Sequence, residues 1–364
     1  MASIKLENLT KEFDRGRVVA VKDLNLEIKD GEFIALLGPS GCGKTTTLLM
    51  IAGIYKPTRG KVYFDNVCVN DVAPKDRYVG LVFQSYALYP HMTVFENIAF
   101  PLRLNKTPKQ EIKKKVHEVA KLARIEELLA RKPGQLSGGQ QQRVALCRAI
   151  VKEPEVLLLD EPLSNLDARL RIETRAEIKR LQKELGITAI LVTHDQVEAM
   201  TMAERVAVMH NGVLQQYTTP TELYSHPRNL FVASFIGDPP MNLVDVVLAQ
   251  RDGRPVLESE HFTLPITPEL AQKLPKDGRR LVLGVRPDEI TLAREEHPQG
   301  FPGEVFITEP LGGGVLVDFK FGELTFRVLA PLDFTVEVGE RLWIAPQLEK
   351  IHLFDAETGE ALLR

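Results

Sequence analysis

A short apolar run that passes directly into a glycine-rich loop is the feature that most constrains how this chain folds. Residues 33–37 read Phe-Ile-Ala-Leu-Leu and end at Gly38, and residues 44–52 beyond the loop have helical character. A continuous apolar run of this length is typical of a strand buried on both faces, as in a parallel sheet covered by helices. The sequence therefore predicts a strand, loop and helix unit of an α/β fold.

Two further apolar runs have the same form. Residues 156–159 end at Asp160, and residues 189–192 end at Thr193 and His194. Strands of a parallel sheet present their carboxyl ends at one edge, and ligands bind at that edge. We therefore expect the polar residues after the three runs to share a site. We also expect the strand that ends at Asp160 to lie beside the strand of residues 33–37.

The rest of the chain divides into regions of different pattern. Apolar and polar residues roughly alternate over residues 4–28, which predicts an antiparallel, half-buried sheet. Residues 108–132 carry Lys, Glu and Leu at helical spacing and predict a mostly helical insertion. Past Ile236, short alternating segments with Gly and Pro predict an all-β barrel or sandwich, so the expected domains are 1–236 and 237–364. The strands predicted there are residues 280–285, 303–307, 315–319 and 324–328.

The composition restricts the class of partner and the compartment. The 46 Lys and Arg residues nearly balance the 49 Asp and Glu residues, which argues against the broad positive field of a nucleic-acid-binding protein. Cys42, Cys68 and Cys147 show no paired-ligand spacing and favour a reducing, cytoplasmic compartment. The most apolar long stretch, residues 229–249, is interrupted by two aspartates and two prolines, so we expect no membrane-spanning helix.

Residues 38–45 match the pattern G-x-x-x-x-G-K-[ST] between a predicted strand and a predicted helix, the context that a phosphate-binding loop requires. Glycines let backbone N–H groups converge on phosphate oxygens, and the start of the next helix adds the positive end of its dipole. We expect Lys44 to reach the β and γ phosphates of a nucleotide and Thr45 to place its hydroxyl on Mg²⁺. The candidate nucleotide ligands are Gly38, Pro39, Ser40, Gly41, Cys42, Gly43, Lys44 and Thr45.

Two acidic residues stand at the end of the second buried run. Asp160 is placed where a carboxylate holds Mg²⁺ directly or through water. Glu161 follows at once and is a candidate to orient or deprotonate the water that attacks the γ-phosphate. Adjacent acids after a strand are by themselves typical of a solvated turn, and the phosphate-binding pattern upstream is what favours the catalytic interpretation.

A second glycine-rich sequence, Leu-Ser-Gly-Gly-Gln at residues 136–140, opens a predicted helix and provides another phosphate-binding surface by the same physics. It is identical to the signature of ABC ATPases, and together with residues 38–45, Asp160 and Glu161 it makes the chain resemble that family. The resemblance implies a P-loop NTPase domain with antiparallel β and helical subdomains, the helical one at about residues 88–150. It also implies a homodimer in which one chain closes over ATP held by the other through Ser137, Gly138, Gly139 and Gln140.

The resemblance assigns roles to further residues. Gln84 matches the glutamine that senses Mg²⁺ and the γ-phosphate, and His194 matches the switch histidine that contacts the γ-phosphate. Residues 164–167 resemble the segment that crosses the dimer seam, with Asn165 where alanine is commoner. Phe13 falls where an aromatic ring stacks on adenine, although a lone Phe in an alternating strand is otherwise typical of a core. The implied nucleotide set also contains Thr46 and Asp167, and the implied Mg²⁺ ligands are Thr45, Gln84 and Asp160.

The C-terminal region resembles that of the ATPases of maltose-type carbohydrate importers, which carry a regulatory barrel of the oligonucleotide/oligosaccharide-binding (OB) type. The matching residues are 231–237, 241–242, 284–287 and 352–355, whereas Thr218 and the glycine-rich turn at 311–314 depart from the family pattern. The resemblance implies two transmembrane permease subunits and, through them, an extracytoplasmic solute-binding protein, with this chain on the cytoplasmic face of the membrane. A sugar or oligosaccharide is the expected solute. Glycerol phosphate, a polyamine and an inorganic anion stay open, because the solute does not touch this subunit.

Three alternatives stay open as well. Residues 86–92 suit either the docking of a permease helix or ordinary core packing. Cys42 is either a reactive thiolate, favoured by Lys44 and the converging N–H groups, or a small buried residue. A soluble ABC protein of translation or DNA repair is the competing class. Such a protein is expected to carry two fused cassettes or a long coiled coil, whereas this sequence has one phosphate-loop pattern and no sustained heptads.

Overall fold

The structure is a computed structural model that describes residues 2–275 and 278–363. Its contacts divide the chain into two units, Met1–Pro220 and Thr221–Arg364. This division falls earlier in the chain than the domain boundary predicted near Ile236. Residues between the two points pack in the second unit, because Leu230 and Ala233 belong to a core cluster with Phe354.

The first unit contains both strands and helices. In chain order they are β1 (Ile4–Phe13), β2 (Val18–Ile28), β3 (Phe33–Leu37), α1 (Lys44–Ile51), β4 (Arg59–Phe64), β5 (Val67–Cys68), β6 (Val79–Val82), α2 (Val94–Leu104), α3 (Lys109–Leu122), α4 (Gly138–Ile150), β7 (Val156–Asp160), α5 (Ala168–Leu185), β8 (Thr188–Thr193), α6 (Gln196–Met202), β9 (Arg205–His210) and β10 (Val213–Thr218).

The alternating N-terminal segment forms an antiparallel sheet, as predicted. The strand order is β2-β1-β4-β5, and β1 pairs with both β2 and β4. Ile4 and Leu6 are buried while Lys5 between them is exposed, which is the period of two that a half-buried strand requires. Ile4 and Leu6 pack in a core cluster that also contains residues of β3, β7 and β8.

The three apolar runs form the centre of a second sheet with the order β10-β9-β3-β8-β7-β6. Every residue of β3 and β8 is buried, and β3, β6, β7 and β8 run parallel. One expectation was wrong, because β7, which ends at Asp160, does not lie beside β3. The strand that comes later in the chain, β8, lies between them and pairs with both. Local apolar pattern identifies a buried strand but carries no information on its neighbours in the sheet.

The helical insertion is confirmed, and it is larger than residues 108–132. Helices α2, α3 and α4 share a core cluster of their own, which includes Ile98, Val116 and Val144. Helix α2 begins at a capping box in which the Thr93 hydroxyl accepts the Glu96 N–H and the Glu96 carboxylate accepts the Thr93 N–H.

In the described part of the chain, no helix is long and apolar enough to cross a membrane. Helix α5 has 18 residues, but Arg, Lys and Glu recur along all of it.

The second unit is mainly antiparallel sheet. Its elements are α7 (Pro220–Ser225), α8 (Leu230–Phe235), β11 (Asn242–Arg251), β12 (Arg254–Glu258), β13 (Thr263–Pro265), α9 (Pro268–Gln272), β14 (Arg280–Val285), β15 (Ile290–Ala293), β16 (Phe301–Pro310), β17 (Val315–Phe321), β18 (Leu324–Ala330), β19 (Arg341–Pro346) and β20 (His352–Asp355). All four strands predicted in this region are present, with β14 at the predicted residues and the other three longer than predicted.

Two five-stranded sheets cover one core in the second unit. Their orders are β13-β12-β11-β14-β20 and β15-β19-β16-β17-β18. Phe262 stacks on Phe301 with ring centroids 3.8 Å apart, and both meet the edge of Phe326. Residues of both sheets contribute to this cluster, so neither sheet buries its apolar face without the other.

Candidate functional site

The loop between β3 and α1 has a backbone that depends on its glycines. Gly43 has φ +101°, and a Cβ there would lie 2.3 Å from the carbonyl oxygen of Ala20. A Cβ at Gly38 would lie 2.2 Å from the carbonyl oxygen of Met209. Both separations are far below van der Waals contact, so the loop closes against neighbouring backbone in a way that side chains would prevent.

Lys44 places a positive charge inside this loop. Its side chain is buried, and Nζ donates to the carbonyl oxygens of Gly38 at 2.7 Å and Pro39 at 2.8 Å. Thr45 and Thr46 follow in the first turn of α1, with Thr45 exposed and Thr46 half-buried. The ammonium and the helix start therefore lie at the same end of β3, as the phosphate-binding pattern predicts.

The side-chain oxygens of Thr45 and Asp160 lie close together. The Thr45 hydroxyl donates to Oδ1 of Asp160 at 2.9 Å, although β7 and β3 are separated by β8. Burial raises the pKa of the Asp160 carboxyl, and the hydrogen bond from Thr45 works in the opposite direction. Adjacent oxygen ligands of octahedral Mg²⁺ lie about 3.0 Å apart when each metal bond is about 2.1 Å long. The residues present thus fit a magnesium site at this edge of the sheet.

The three predicted catalytic side chains lie together. Oε2 of Glu161 lies 3.2 Å from Nε2 of Gln84, which donates to it, and 3.2 Å from Nδ1 of His194. Glu161 has φ +44°, and its N–H donates to the carbonyl oxygen of Val192 at 2.9 Å. A left-handed backbone at a non-glycine residue carries strain and persists only where the surroundings hold it. The strand end of β8 supplies one of those restraints.

The segment of residues 164–167 is attached to the same cluster. The Ser164 hydroxyl accepts from Nε2 of Gln84 at 3.3 Å and donates to the carbonyl oxygen of Glu161 at 3.0 Å. Nδ2 of Asn165 donates to the carbonyl oxygen of Gln84 at 2.8 Å. Alanine at position 165 would lack this donor, so the departure from the family pattern adds a contact that the sequence did not predict. Asp167 ends the segment as the cap of α5, where its carboxylate accepts the Leu170 N–H at 2.9 Å.

The signature residues form a separate surface at the start of α4. Ser137 and Gln140 make a capping box, in which the Ser137 hydroxyl accepts the Gln140 N–H and the Gln140 side chain accepts the Ser137 N–H. Within residues 2–275 and 278–363, no hydrogen bond joins residues 137–140 to residues 38–45, Asp160 or Glu161. The two phosphate-binding surfaces of one chain are therefore distinct.

Phe13 is outside the buried core, in contrast to the core position typical of an alternating strand. It is half-buried at the end of β1 and meets the edge of the Tyr55 ring, with centroids 5.6 Å apart. Nζ of Lys11 lies 5.1 Å from the centroid of the Phe13 ring. Its ring is partly accessible, as an adenine-stacking ring must be.

Cys42 does not fit the description of a reactive thiolate. Its side chain is 3% exposed, and burial raises the pKa of the thiol, although Lys44 lowers it through its charge. The loss of hydration on forming the thiolate outweighs the attraction of the ammonium, which the sequence pattern cannot weigh. The structure therefore contradicts the reactive alternative and agrees with a small buried residue.

The segment of residues 86–92 is held by side chains that sequence reasoning missed. Arg148 of α4 donates to the carbonyl oxygens of Tyr86 at 2.8 Å and Ala87 at 2.7 Å, and both residues have positive φ. Asn97 of α2 donates to the Tyr89 carbonyl and accepts the Tyr89 N–H. Tyr86 is buried while Ala87 is exposed, so the segment is part core and part surface. No local pattern predicts these contacts, because Arg148 lies about sixty residues away along the chain.

Three models of known protein families match successive parts of the chain. Residues 21–164 match the model of the ABC transporter family. Residues 237–290 match the MalK OB fold domain, and residues 283–354 match the TOBE domain. The glycine-rich loop, the signature and the Asp160–Glu161 pair all lie inside the first match.

Similar proteins match along the whole chain. The trehalose/maltose import ATP-binding protein MalK of Thermococcus litoralis is 50% identical over 377 residues, covering 100% of this chain and 100% of that protein. The osmoprotective compounds uptake protein GgtA of Synechocystis is also 50% identical with full coverage of both. The sn-glycerol-3-phosphate import protein UgpC of Yersinia enterocolitica is 45% identical over 99% of each chain.

A solved structure agrees with the fold of the first unit. The dimeric ATP-binding cassette MJ0796, in a post-hydrolysis state with ADP and phosphate, is 38% identical, with a TM-score of 0.54, covering 60% of this chain and 98% of that one. The full-length matches and the domain order together show that the chain belongs to the ABC transporter family, as an ATPase subunit of importers of the MalK and UgpC type.

Proposed function

We propose that the chain binds Mg²⁺-ATP at residues 38–45 and hydrolyses it in a homodimer that drives sugar or oligosaccharide import. Lys44 and the N–H groups of the loop bind the phosphates, and Phe13 stacks on the adenine. Thr45 and Asp160 would hold Mg²⁺, with Gln84 as a further proposed ligand, and the ion would supply positive charge to the phosphates. The 2.9 Å approach of the Thr45 and Asp160 oxygens supports this assignment.

The carboxylate of Glu161 is the proposed acceptor of the proton from the attacking water. Its Oε2 lies at 3.2 Å from both Gln84 and His194, so two side chains fix its orientation. General-base assistance of this kind contributes about 10² to 10⁴ in rate. His194 is the proposed contact to the γ-phosphate and ties that contact to the state of Glu161.

The separation of the two phosphate-binding surfaces within one chain is the observation that supports a dimer. Residues 137–140 lie at the start of α4. In the described residues, no hydrogen bond joins them to the phosphate loop of the same chain. A second copy supplies the missing half of each site. Solved cassettes that are 38% identical to this chain are dimeric, which supports the proposal.

Attachment to the membrane is proposed to occur through two permease subunits, at the cytoplasmic face. The segment of residues 86–92 follows Gln84 directly and exposes Ala87, Pro90 and His91 from a backbone fixed by Arg148. A helix bound there would sense the position of Gln84, and movement at the ATP site would reach the permease. An extracytoplasmic solute-binding protein completes the proposed importer.

A sugar or oligosaccharide is the favoured solute, since the relative from Thermococcus litoralis is a trehalose/maltose import protein at 50% identity. Glycerol 3-phosphate is the second candidate, because the import protein from Yersinia enterocolitica is 45% identical over 99% of both chains. The permease and the binding protein make the choice between them.

Reconstitution with permease subunits that co-purify with this chain tests the proposal. The complex in proteoliposomes, with its solute-binding protein, is expected to hydrolyse ATP faster and to accumulate labelled maltose or trehalose when that sugar is present. Stimulation by glycerol 3-phosphate alone would select the second candidate. Failure of the chain to co-purify with any permease subunit, together with ATPase activity that no solute changes, would refute the importer assignment of the site.

A further inference from the structure

Arg171 lies in the first turn of α5, and its guanidinium contacts two segments of the candidate site. Nη2 donates to the carbonyl oxygen of Leu166 at 3.1 Å, and Nη1 lies 3.7 Å from Oδ2 of Asp195. Leu166 belongs to the segment of residues 164–167, and Asp195 follows His194 directly. One side chain therefore connects the predicted seam segment to the backbone that carries His194.

Asp195 is itself fixed, so its contact with Arg171 fixes more than one side chain. Its Oδ1 accepts the N–H groups of Val197 at 2.7 Å and Glu198 at 3.1 Å and so caps α6. Its own N–H donates to the Thr193 hydroxyl at 3.0 Å, and that hydroxyl donates to Glu198 at 2.6 Å. The backbone on both sides of His194 is thus held by hydrogen bonds.

The remaining contacts close a ring through the site. Asn165 donates to the Gln84 carbonyl at 2.8 Å, Gln84 donates to Glu161 at 3.2 Å, and His194 lies 3.2 Å from the same carboxylate oxygen. Arg171 connects the two ends of this chain of contacts. Glu161, His194 and Arg171 also line one small cavity of about 110 Å³.

We propose that Arg171 is a positioning residue, which keeps Glu161 and His194 aligned by holding residues 164–167 and Asp195 in one arrangement. The proposal rests on the proposed roles of Glu161 and His194. Arg171 acts through the backbone of Leu166 and the carboxylate of Asp195. Because a displacement of about 1 Å in a catalytic group costs up to about 10² in rate, a modest loosening of the ring is sufficient to slow turnover.

The geometry requires arginine, because two partners are held by different nitrogens of one planar group. Lysine keeps the charge but presents a single ammonium on a flexible stem, which reaches Leu166 or Asp195 at one time. Glutamine keeps a donor for the Leu166 carbonyl and loses the charge that faces Asp195. Nε of Arg171 is buried without a hydrogen-bond partner, so the two terminal nitrogens make the contacts that fix this guanidinium.

The test uses the full-length chain and measures steady-state ATP hydrolysis, ATP binding and thermal unfolding. Arg171→Gln is expected to lower kcat roughly tenfold while KM for ATP and the affinity for ATP change by less than about twofold. Arg171→Lys is expected to recover part of kcat. Asp195→Asn, which keeps an oxygen for the cap of α6, is expected to lower kcat in the same way. The double variant is expected to be no slower than the slower single variant, because both changes open the same link.

Lys183→Ala is the matched control, since it removes one positive charge from the exposed end of α5 and is expected to leave kcat unchanged. A kcat for Arg171→Gln within twofold of the wild type would overturn the inference. Losses that multiply in the double variant, or that follow only a fall in the folded fraction, would overturn it too. If Glu161→Gln retains turnover, the proposed catalytic site is wrong. If Glu161→Gln is inactive and Arg171→Gln is fully active, only the proposed role of Arg171 is wrong.

Discussion

Replacing Glu161 with glutamine is expected to abolish turnover, leave ATP binding intact and trap a homodimer with ATP between its subunits. Glutamine has the length of glutamate, and its amide oxygen accepts the hydrogen bond that Gln84 now donates to Oε2 at 3.2 Å. The backbone hydrogen bond from residue 161 to Val192 does not depend on the side chain. The substitution therefore removes a proton acceptor while the arrangement around it stays.

The expected loss follows from that single change. General-base assistance is worth about 10² to 10⁴ in rate, which corresponds to about 2.7 to 5.5 kcal/mol of activation free energy. The side chain of Glu161 is 20% exposed and the side chain of His194 is 55% exposed, so the histidine is the more open of the two to solvent. ATP binding is expected to tighten, because a negative charge beside the triphosphate is removed and like charges repel more strongly where water is partly excluded.

Closure of the dimer depends on intact ATP, since residues 38–45 of one chain and residues 137–140 of another enclose the γ-phosphate in the proposed site. Sizing chromatography with light scattering is expected to show the variant as a dimer with ATP and a monomer with ADP, alongside phosphate release below a hundredth of the wild-type rate. Glu173→Gln on the exposed face of α5 makes the same chemical change away from the site and is expected to hydrolyse ATP normally. Hydrolysis by Glu161→Gln close to the wild-type rate, or a monomer with both nucleotides, would refute the reasoning.

Three further predictions concern the thiols, an acid-sensitive histidine and a buried amide. At neutral pH an alkylating reagent is expected to label exposed Cys68 much faster than buried Cys42, whose raised pKa leaves less thiolate; equal rates by peptide mass spectrometry would contradict this. Burial, with like charge nearby, lowers the pKa of His352 from 6.5 to about 4. The unfolded chain therefore takes up the proton first as pH falls, and stability is lost between about pH 6.5 and 4. His352→Gln is expected to flatten this part of the curve of thermal midpoint against pH, and an unchanged slope would argue against it. Asn242→Ala is expected to cost about 1 to 3 kcal/mol, because the Asn242 side chain joins the backbone of Arg327 to that of Val285; a midpoint equal to that of the wild type would refute this.

The local sequence pattern was sufficient to predict the strand and the helix on either side of the phosphate-binding loop. Strand β3 has the predicted residues 33–37, and α1 begins at the predicted Lys44. Continuous burial and a glycine-dependent loop are properties of a short stretch of chain, so a short stretch of sequence predicts them. The strand pattern placed Glu161 and His194 at one edge of the sheet, whereas Gln84 and the role of His194 followed from family resemblance. The structure brings all three side chains together.

The same reasoning could not predict the order of the strands in the sheet or the long-range side-chain contacts. The sheet places β8 between β3 and β7, although β8 comes last of the three along the chain. Arg148 reaches Tyr86 across 62 residues, and the pKa of Cys42 depends on how completely the folded loop excludes water. The first two features depend on groups that are far apart along the chain, and the third depends on how the burial of the thiol compares with the charge of Lys44. The sequence identifies the charged and buried groups, but it does not show which of their opposing effects on the pKa is larger.

Asn165 indicates what the ring of contacts contributes to catalysis. Its amide connects residues 164–167 to the Gln84 backbone at one end, and Arg171 connects the same segment to Asp195 at the other. In the proposed dimer this segment crosses the seam, so closure of the two subunits acts on a segment that is attached both to Gln84 and to the backbone of His194. A displacement of the segment therefore alters the surroundings of Glu161 from two sides at once. Glu161 lies where these restraints meet, with the strained backbone that such a position permits. In the proposed dimer, hydrolysis depends on closure through these contacts within each chain, in addition to the signature residues that the partner is proposed to supply.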